Sequence, residues 1–143
     1  MNLGFFSCLL MMKRNNVYHE QIEDLSGLSK NHPLLSLSLL VILFSLAGIP
    51  PLAGFFAKFY IFKSVIEQSM YFLAIVGLLS TVVAAFYYLR IIKIMYFDEE
   101  KDSYDTDHSF WLKFSLTIST LIILVYFIFP SQLIDAVSKI NII

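Results

Sequence analysis

Apolar residues in this chain gather into three long runs free of charge. Residues 34–57, 68–89 and 114–134 hold no Asp, Glu, Lys or Arg, over 24, 22 and 21 residues. Each run matches the roughly 20 residues a helix needs to cross a bilayer core. Each is apolar all round, which a surface helix of a soluble domain is not, and a soluble core of this chain length cannot hide three such helices. The pattern divides the chain into five parts. Residues 1–12 form a short apolar helix and residues 13–33 a polar loop. Residues 34–66 are a long apolar segment interrupted at Gly48-Ile49-Pro50-Pro51. Residues 69–96 are a second span, followed by an acidic stretch over 98–107, and residues 110–134 are a third span with a short tail. The fold expected is an all-α integral membrane protein with three transmembrane helices, the first one broken, plus a truncated N-terminal helix. Pro33 suits the first turn of its helix, where its missing N–H is harmless.

The N-terminal run is too short to span. Asn2–Met12 is 11 residues, about 16 Å of helix against a hydrocarbon layer of roughly 30 Å. A signal peptide places its basic residues before the apolar run, whereas here Lys13 and Arg14 follow it. The run is expected to be the cytoplasmic end of a helix whose beginning is missing, and the chain a piece of something longer.

Composition sharpens the class. Of 143 residues, 58% are hydrophobic, where a soluble domain holds about 45–50% even with Gly counted. This excludes a soluble enzyme, a nucleic-acid binder and a disordered tail. A net charge of −1 gives no electrostatic reason to expect polyanion partners. A single Cys excludes an intrachain disulfide framework and a Cys-based zinc site. His19 beside Glu20, Glu23 and Asp24 reads as a solvated loop rather than a metal site. The acidic stretch lacks the central Gly of a calcium loop. No phosphate loop, nucleophile motif or redox Cys set is present, so no catalytic, metal or cofactor-binding residue is assigned. Charge placement gives orientation. Lys13, Arg14, Lys30, Arg90, Lys93, Lys101 and Lys113 fall on one side, Lys63 and Lys139 on the other. The basic side is cytoplasmic, which puts the C-terminus outside.

One charge lies inside the broken segment. Lys58 sits in a stretch otherwise uncharged from Leu34 to Phe62, and a charged side chain at the centre of a membrane helix costs about 2.5–3.5 kcal/mol on insertion scales. Lys58 can snorkel to the nearby interface. The prolines open a second reading. Pro50 and Pro51 have no N–H for the carbonyls of Leu46 and Ala47, and freed backbone in a membrane helix is tolerated only where protein or water supplies partners. Pro51, Gly54 and Lys58 are spaced i, i+3 and i+7, on one helix face. Freed carbonyls, a small residue and a titratable amine on one face suit a proton relay station, and broken helices recur at ion pathways. A packing kink with a snorkelling lysine is the plainer alternative.

Other polar positions have structural readings. Gly77, Ser80, Thr81, Ala84 and Tyr88 share a face of the second span and suit close helix packing over a water path. Ser115, Thr117, Ser119 and Thr120 in the third span can line a path or bond carbonyls one turn back. Tyr87, Tyr88 and Tyr96 with Arg90 and Lys93, and Trp111 with Lys113, read as interface anchors.

The stretch Phe44-Ser-Leu-Ala-Gly-Ile-Pro-Pro-Leu-Ala-Gly-Phe-Phe-Ala-Lys-Phe-Tyr60 resembles the broken helix of the antiporter-like membrane subunits of respiratory complex I, the NADH-quinone oxidoreductase. Glu23-Asp-Leu-Ser-Gly-Leu28 and Tyr87-Tyr-Leu-Arg-Ile-Ile-Lys-Ile-Met-Tyr-Phe97 resemble the subunit N branch, and Met1-Asn-Leu-Gly4 resembles a helix interior. The resemblance covers residues 1 to about 134 and implies the C-terminal part of an antiporter-like membrane domain over 1–143. It implies proton transport coupled to NADH oxidation and quinone reduction, with Lys58 as protonatable relay and Gly48, Pro50, Pro51 and Gly54 shaping the break. NADH, flavin, iron–sulfur clusters and quinone would sit on the rest of the complex. Partners would be other membrane-arm subunits, the lipid bilayer and a separate chain supplying the missing N-terminal helices, with no nucleic acid. The setting would be a bacterial inner membrane or an equivalent energy-transducing membrane. A fragment of a cation/proton antiporter subunit, which shares the Gly-Ile-Pro-Pro piece, and an inactive remnant of a split gene are the alternatives.

Overall fold

The computed structural model describes residues 1–14, 17–18, 21–99 and 110–128. The sequence-read features at His19, Glu20, residues 100–107 and residues 129–143, including Lys101 and Lys139, lie outside the described residues. Helix α1 covers Asn2–Met11, α2 is the single turn Leu28–Asn31, α3 is Pro33–Ala47, α4 is Ala53–Glu67, α5 is Tyr71–Phe97 and α6 is Phe110–Ile128. The polar loop is more ordered than its composition suggests. Lys13–Arg14 (β1) pairs antiparallel with Val17–Tyr18 (β2), Lys13 opposite Tyr18. A 3-10 turn follows at Ile22–Leu25, where the Gln21 N–H donates to Asp24 Oδ2 at 3.3 Å and closes a capping box. Short-range side-chain caps of this kind order a loop with no apolar periodicity.

Each helix boundary has a local cause. Pro33 opens α3 at its first turn. Ser69 takes a positive φ of 58° just after α4, which ends that helix and starts the turn into α5. Helix α5 runs 27 residues, about 40 Å, and is long and apolar enough to cross a membrane. The 15-residue helices α3 and α4 are about 22 Å each, so only the two together match a bilayer core.

Helix α3 is the centre of the bundle. Leu39, Ile42 and Leu43 are fully buried, and α1, α5 and α6 all pack on it. Helix α4 packs back on α3 and α5 and touches α6, with the Phe56 and Tyr126 rings 5.7 Å apart. The buried side of α5 begins at Ala74 and continues through Ile92 and Met95. At its end the Gly27 N–H donates to the Ile94 carbonyl, which docks the loop after β2 against it. The outward faces of α5 and α6 stay apolar and exposed, as helix surfaces that meet lipid or further helices do.

Candidate functional site

The break between α3 and α4 is built from backbone upward. Gly48 adopts φ 85°, ψ 34°, a left-handed conformation that other residues enter only with strain. Its N–H donates to the Ser45 carbonyl and that of Ile49 to the Phe44 carbonyl, both at 3.1 Å. This paired closure is the Schellman end of a helix. It satisfies the carbonyls of Phe44 and Ser45 and leaves those of Leu46 and Ala47. In a continuous helix their donors would be residues 50 and 51, which are both Pro and carry no N–H. The Pro50–Pro51 bond is cis. The chain turns, the Leu52 N–H reaching the Ile49 carbonyl, and α4 starts at Ala53.

Lys58 fills the vacancy. Its Nζ donates to the Leu46 carbonyl at 2.9 Å and to the Ala47 carbonyl at 3.1 Å. Side chains on a helix lean toward its N-terminus, and from the second turn of α4 that lean carries the amine back to the end of α3. The C-terminal end of a helix also carries partial negative charge, which attracts a cation. The side chain lies across Gly48, where an added Cβ would come within 3.1 Å of Lys58 Cδ. Gly54 is buried against α3. A Cβ there would overlap the Ser45 carbonyl, and its N–H donates to Ser45 Oγ at 3.1 Å. Gly48, Gly54 and Lys58 thus meet at the end of α3, whereas Pro50 and Pro51 lie exposed in the turn before α4, so Pro51 shares no helix face with Gly54 and Lys58.

Ser45 belongs to this site and sequence reasoning passed over it. A serine inside an apolar helix has no pattern that marks a backbone partner nine residues on. Lys58 also lines an apolar groove of about 510 Å³ between α4 and α5, beside Phe55, Phe59, Phe62, Leu78 and Thr81. Further out on α4, Lys63 and Glu67 form an exposed pair at 3.8 Å.

The remaining polar positions are occupied by packing. Thr117 and Thr120 donate to the carbonyls of Lys113 and Leu116, one turn back. Ser115 pairs with Ser7 of α1 at 2.9 Å, and Ser119 is buried where a Cβ on Gly4 would meet it at 2.7 Å. Gly77 faces Phe62 of α4, and Ser80 is exposed with its hydroxyl bonded back to the Gly77 carbonyl. Among the described residues no group of His, Cys, Asp and Glu is arranged to hold a metal ion.

These features define a class: helical bundles of membrane character organised around a broken helix whose free carbonyls are held by a lysine. The family described as NADH:quinone oxidoreductase/Mrp antiporter, TM, matches residues 1–84, and the chain belongs to that family. It is 81% identical over 143 residues to NADH-quinone oxidoreductase subunit N of Pelagibacter ubique (strain HTCC1062), covering 30% of that protein. It is 48% identical over 136 residues to subunit N of Parvibaculum lavamentivorans (strain DS-1 / DSM 13023 / NCIMB 13966), covering 28% of it. Among solved structures, a chain of respiratory complex I from Thermus thermophilus with bound aureothin superposes with a TM-score of 0.74 at 25% identity. That match covers 90% of this chain and 30% of the other. The chain therefore spans about 30% of the length of the relatives it matches. The subunit N relatives are those to which the Glu23–Leu28 and Tyr87–Phe97 stretches point.

Proposed function

We propose that this chain provides the broken-helix part of an antiporter-like subunit N in a proton-translocating NADH-quinone oxidoreductase, with Lys58 as the protonatable relay. The observation that carries the reading is the pair of hydrogen bonds from Lys58 Nζ to the carbonyls of Leu46 and Ala47. An ammonium has three N–H donors, and the neutral amine keeps two. Two donors suffice for the two carbonyls, so either protonation state leaves the break satisfied. The third position, N–H in one state and lone pair in the other, is where a proton is released to water or taken from it. Helix ends pinned this way hold the amine in place while its charge changes.

In this reading the first span is α3 with α4 over 34–66, the second is 69–96 and the third is 110–134. Residues 1–12 end a preceding helix, and 1–143 make up the C-terminal part of an antiporter-like membrane domain. Other membrane-arm subunits, a chain carrying the preceding helices and the bilayer surround it in a bacterial inner membrane, with the C-terminus on the outer side. Electron transfer from NADH to quinone takes place on other chains of the complex and supplies the conformational energy. The names of the relatives favour this branch over a free-standing cation/proton antiporter, which would show sodium-dependent proton exchange without NADH.

The test is proton uptake into inverted membrane vesicles carrying the whole complex, driven by NADH and read by acridine-dye quenching. Lys58→Arg and Lys58→Ala are both expected to halve, at least, the protons moved per NADH oxidised. Full uptake in Lys58→Arg, which keeps the charge and donors but does not release its proton, would remove the relay reading and leave a purely structural lysine.

A further inference from the structure

We propose that the face of α5 turned away from the bundle binds an anionic phospholipid, with Arg90 and Lys93 holding its headgroup. Phe72, Ile75, Leu79, Val82, Phe86 and Leu89 recur at steps of three and four residues, so they form one stripe along the helix. All six are exposed, Phe72 and Val82 to 81% and 66%. Of the buried residues of α5, Ala74, Ile92 and Met95 lie on the other side, and Ile94 lies one turn beyond Arg90. Toward the C-terminal end the stripe runs into two cations. Arg90 and Lys93, with Phe86 and Leu89, line an open depression of about 410 Å³. Among the described residues neither cation has a carboxylate or hydrogen-bond partner.

The charge pattern selects the occupant. A protein helix covering this stripe would have to strip water from two cations or bring carboxylates of its own, whereas an anionic lipid carries its negative charge at the required depth. From Arg90 down to Leu79 is about 16 Å of helix, close to one leaflet of a roughly 30 Å hydrocarbon core. Phosphate oxygens meet the guanidinium and ammonium in charge-assisted hydrogen bonds, and the acyl chains lie on Phe86, Val82 and Leu79. The backbone just after α5 is tied to the polar loop. The Glu99 carbonyl accepts from Ser26 Oγ at 2.7 Å, on the side where Gly27 meets Ile94. The inference rests on α5 lying in a bilayer and is independent of the role of Lys58.

The experiment places the full chain in phosphatidylcholine vesicles doped with brominated phosphatidylcholine or, in equal amount, brominated phosphatidylglycerol. Phe86→Trp in a Trp111→Phe background reports lipid contact at the stripe, and the unsubstituted chain reports insertion through Trp111. Stronger quenching at position 86 by phosphatidylglycerol is the expected result. Arg90→Gln and Lys93→Gln should each lower that preference roughly fivefold, as about 1 kcal/mol per surface cation requires. The exchange Arg90→Lys with Lys93→Arg should keep it. Equal quenching by both lipids overturns the headgroup site. Quenching at Trp111 but not at position 86 means that protein covers the stripe, and overturns it too. Quenching at neither position overturns the bilayer placement along with it.

Discussion

Lys58 is the residue on which the two halves of the broken helix converge, and its two bonds give it a structural as well as a chemical consequence. Removing the side chain strands two backbone acceptors, at about 1–3 kcal/mol for a buried unsatisfied group. Lys58→Ala therefore mixes loss of a proton carrier with loosening of the break, and Lys58→Arg is the variant that separates them. Its neighbour Gly54 has a purely steric part. Because a Cβ there overlaps the Ser45 carbonyl, Gly54→Ala should destabilise the fold by about 1–3 kcal/mol, the usual range for overpacking. Ser45→Ala removes the acceptor of the Gly54 N–H and a donor to Met1 Sδ and should cost about 0.5–1.5 kcal/mol. The two changes touch the same contact, so their effects in the double variant should not add. Denaturant unfolding in detergent micelles, followed by circular dichroism, measures all three. Equal stability of Gly54→Ala and the parent would mean that α4 does not lie this close to α3.

At the scale of the element, the break depends on a stop and a restart. Gly48 supplies the stop, and Gly48→Ala should lose roughly 1–2 kcal/mol to left-handed strain, with further crowding of Lys58 Cδ. The same unfolding measurement reads it, and an unchanged midpoint would mean that α3 ends some other way. The place of the stop was legible in sequence, because two missing N–H groups and a glycine leave a helix few options. The partner of the freed carbonyls was not, since shared helical face gives direction but not the angle at which α4 folds back on α3. Small residues along α5 were legible as a packing face, and Gly77 against Phe62 shows why. Ser80 was not, because from Gly77 the buried side passes through Thr81 and Ala84 and leaves position 80 exposed. In α6 the two threonines follow the ordinary backbone-bonding habit. The two serines instead meet α1, a partner no spacing rule could name.

At the scale of the whole molecule, that meeting decides how α1 and α6 close around α3. Between apolar helices in lipid there is little hydrophobic gain, so small residues and shared hydroxyl bonds set the contact. The seam consists of Gly4 and Ser7 on one side and Ser115 and Ser119 on the other, joined by the 2.9 Å bond between Ser7 and Ser115. A pair of side-chain oxygens this close brings the two Cβ atoms toward the separation of a disulfide, about 3.5–4.5 Å. Ser7→Cys with Ser115→Cys, in a Cys8→Ala background that removes the one native thiol, should therefore oxidise readily within a single chain. Intact mass after alkylation counts the free thiols that remain and is expected to find none. Leu10→Cys with Ser115→Cys is the control, because Leu10 is half-exposed on the outer side of α1 and should stay reduced. Bonding in the control but not in the Ser7 pair would rotate α1 on its axis and remove the Gly4–Ser119 seam. Bonding in the Ser7 pair alone fixes α1 against α6 and leaves α3, with the break at its end, enclosed between them.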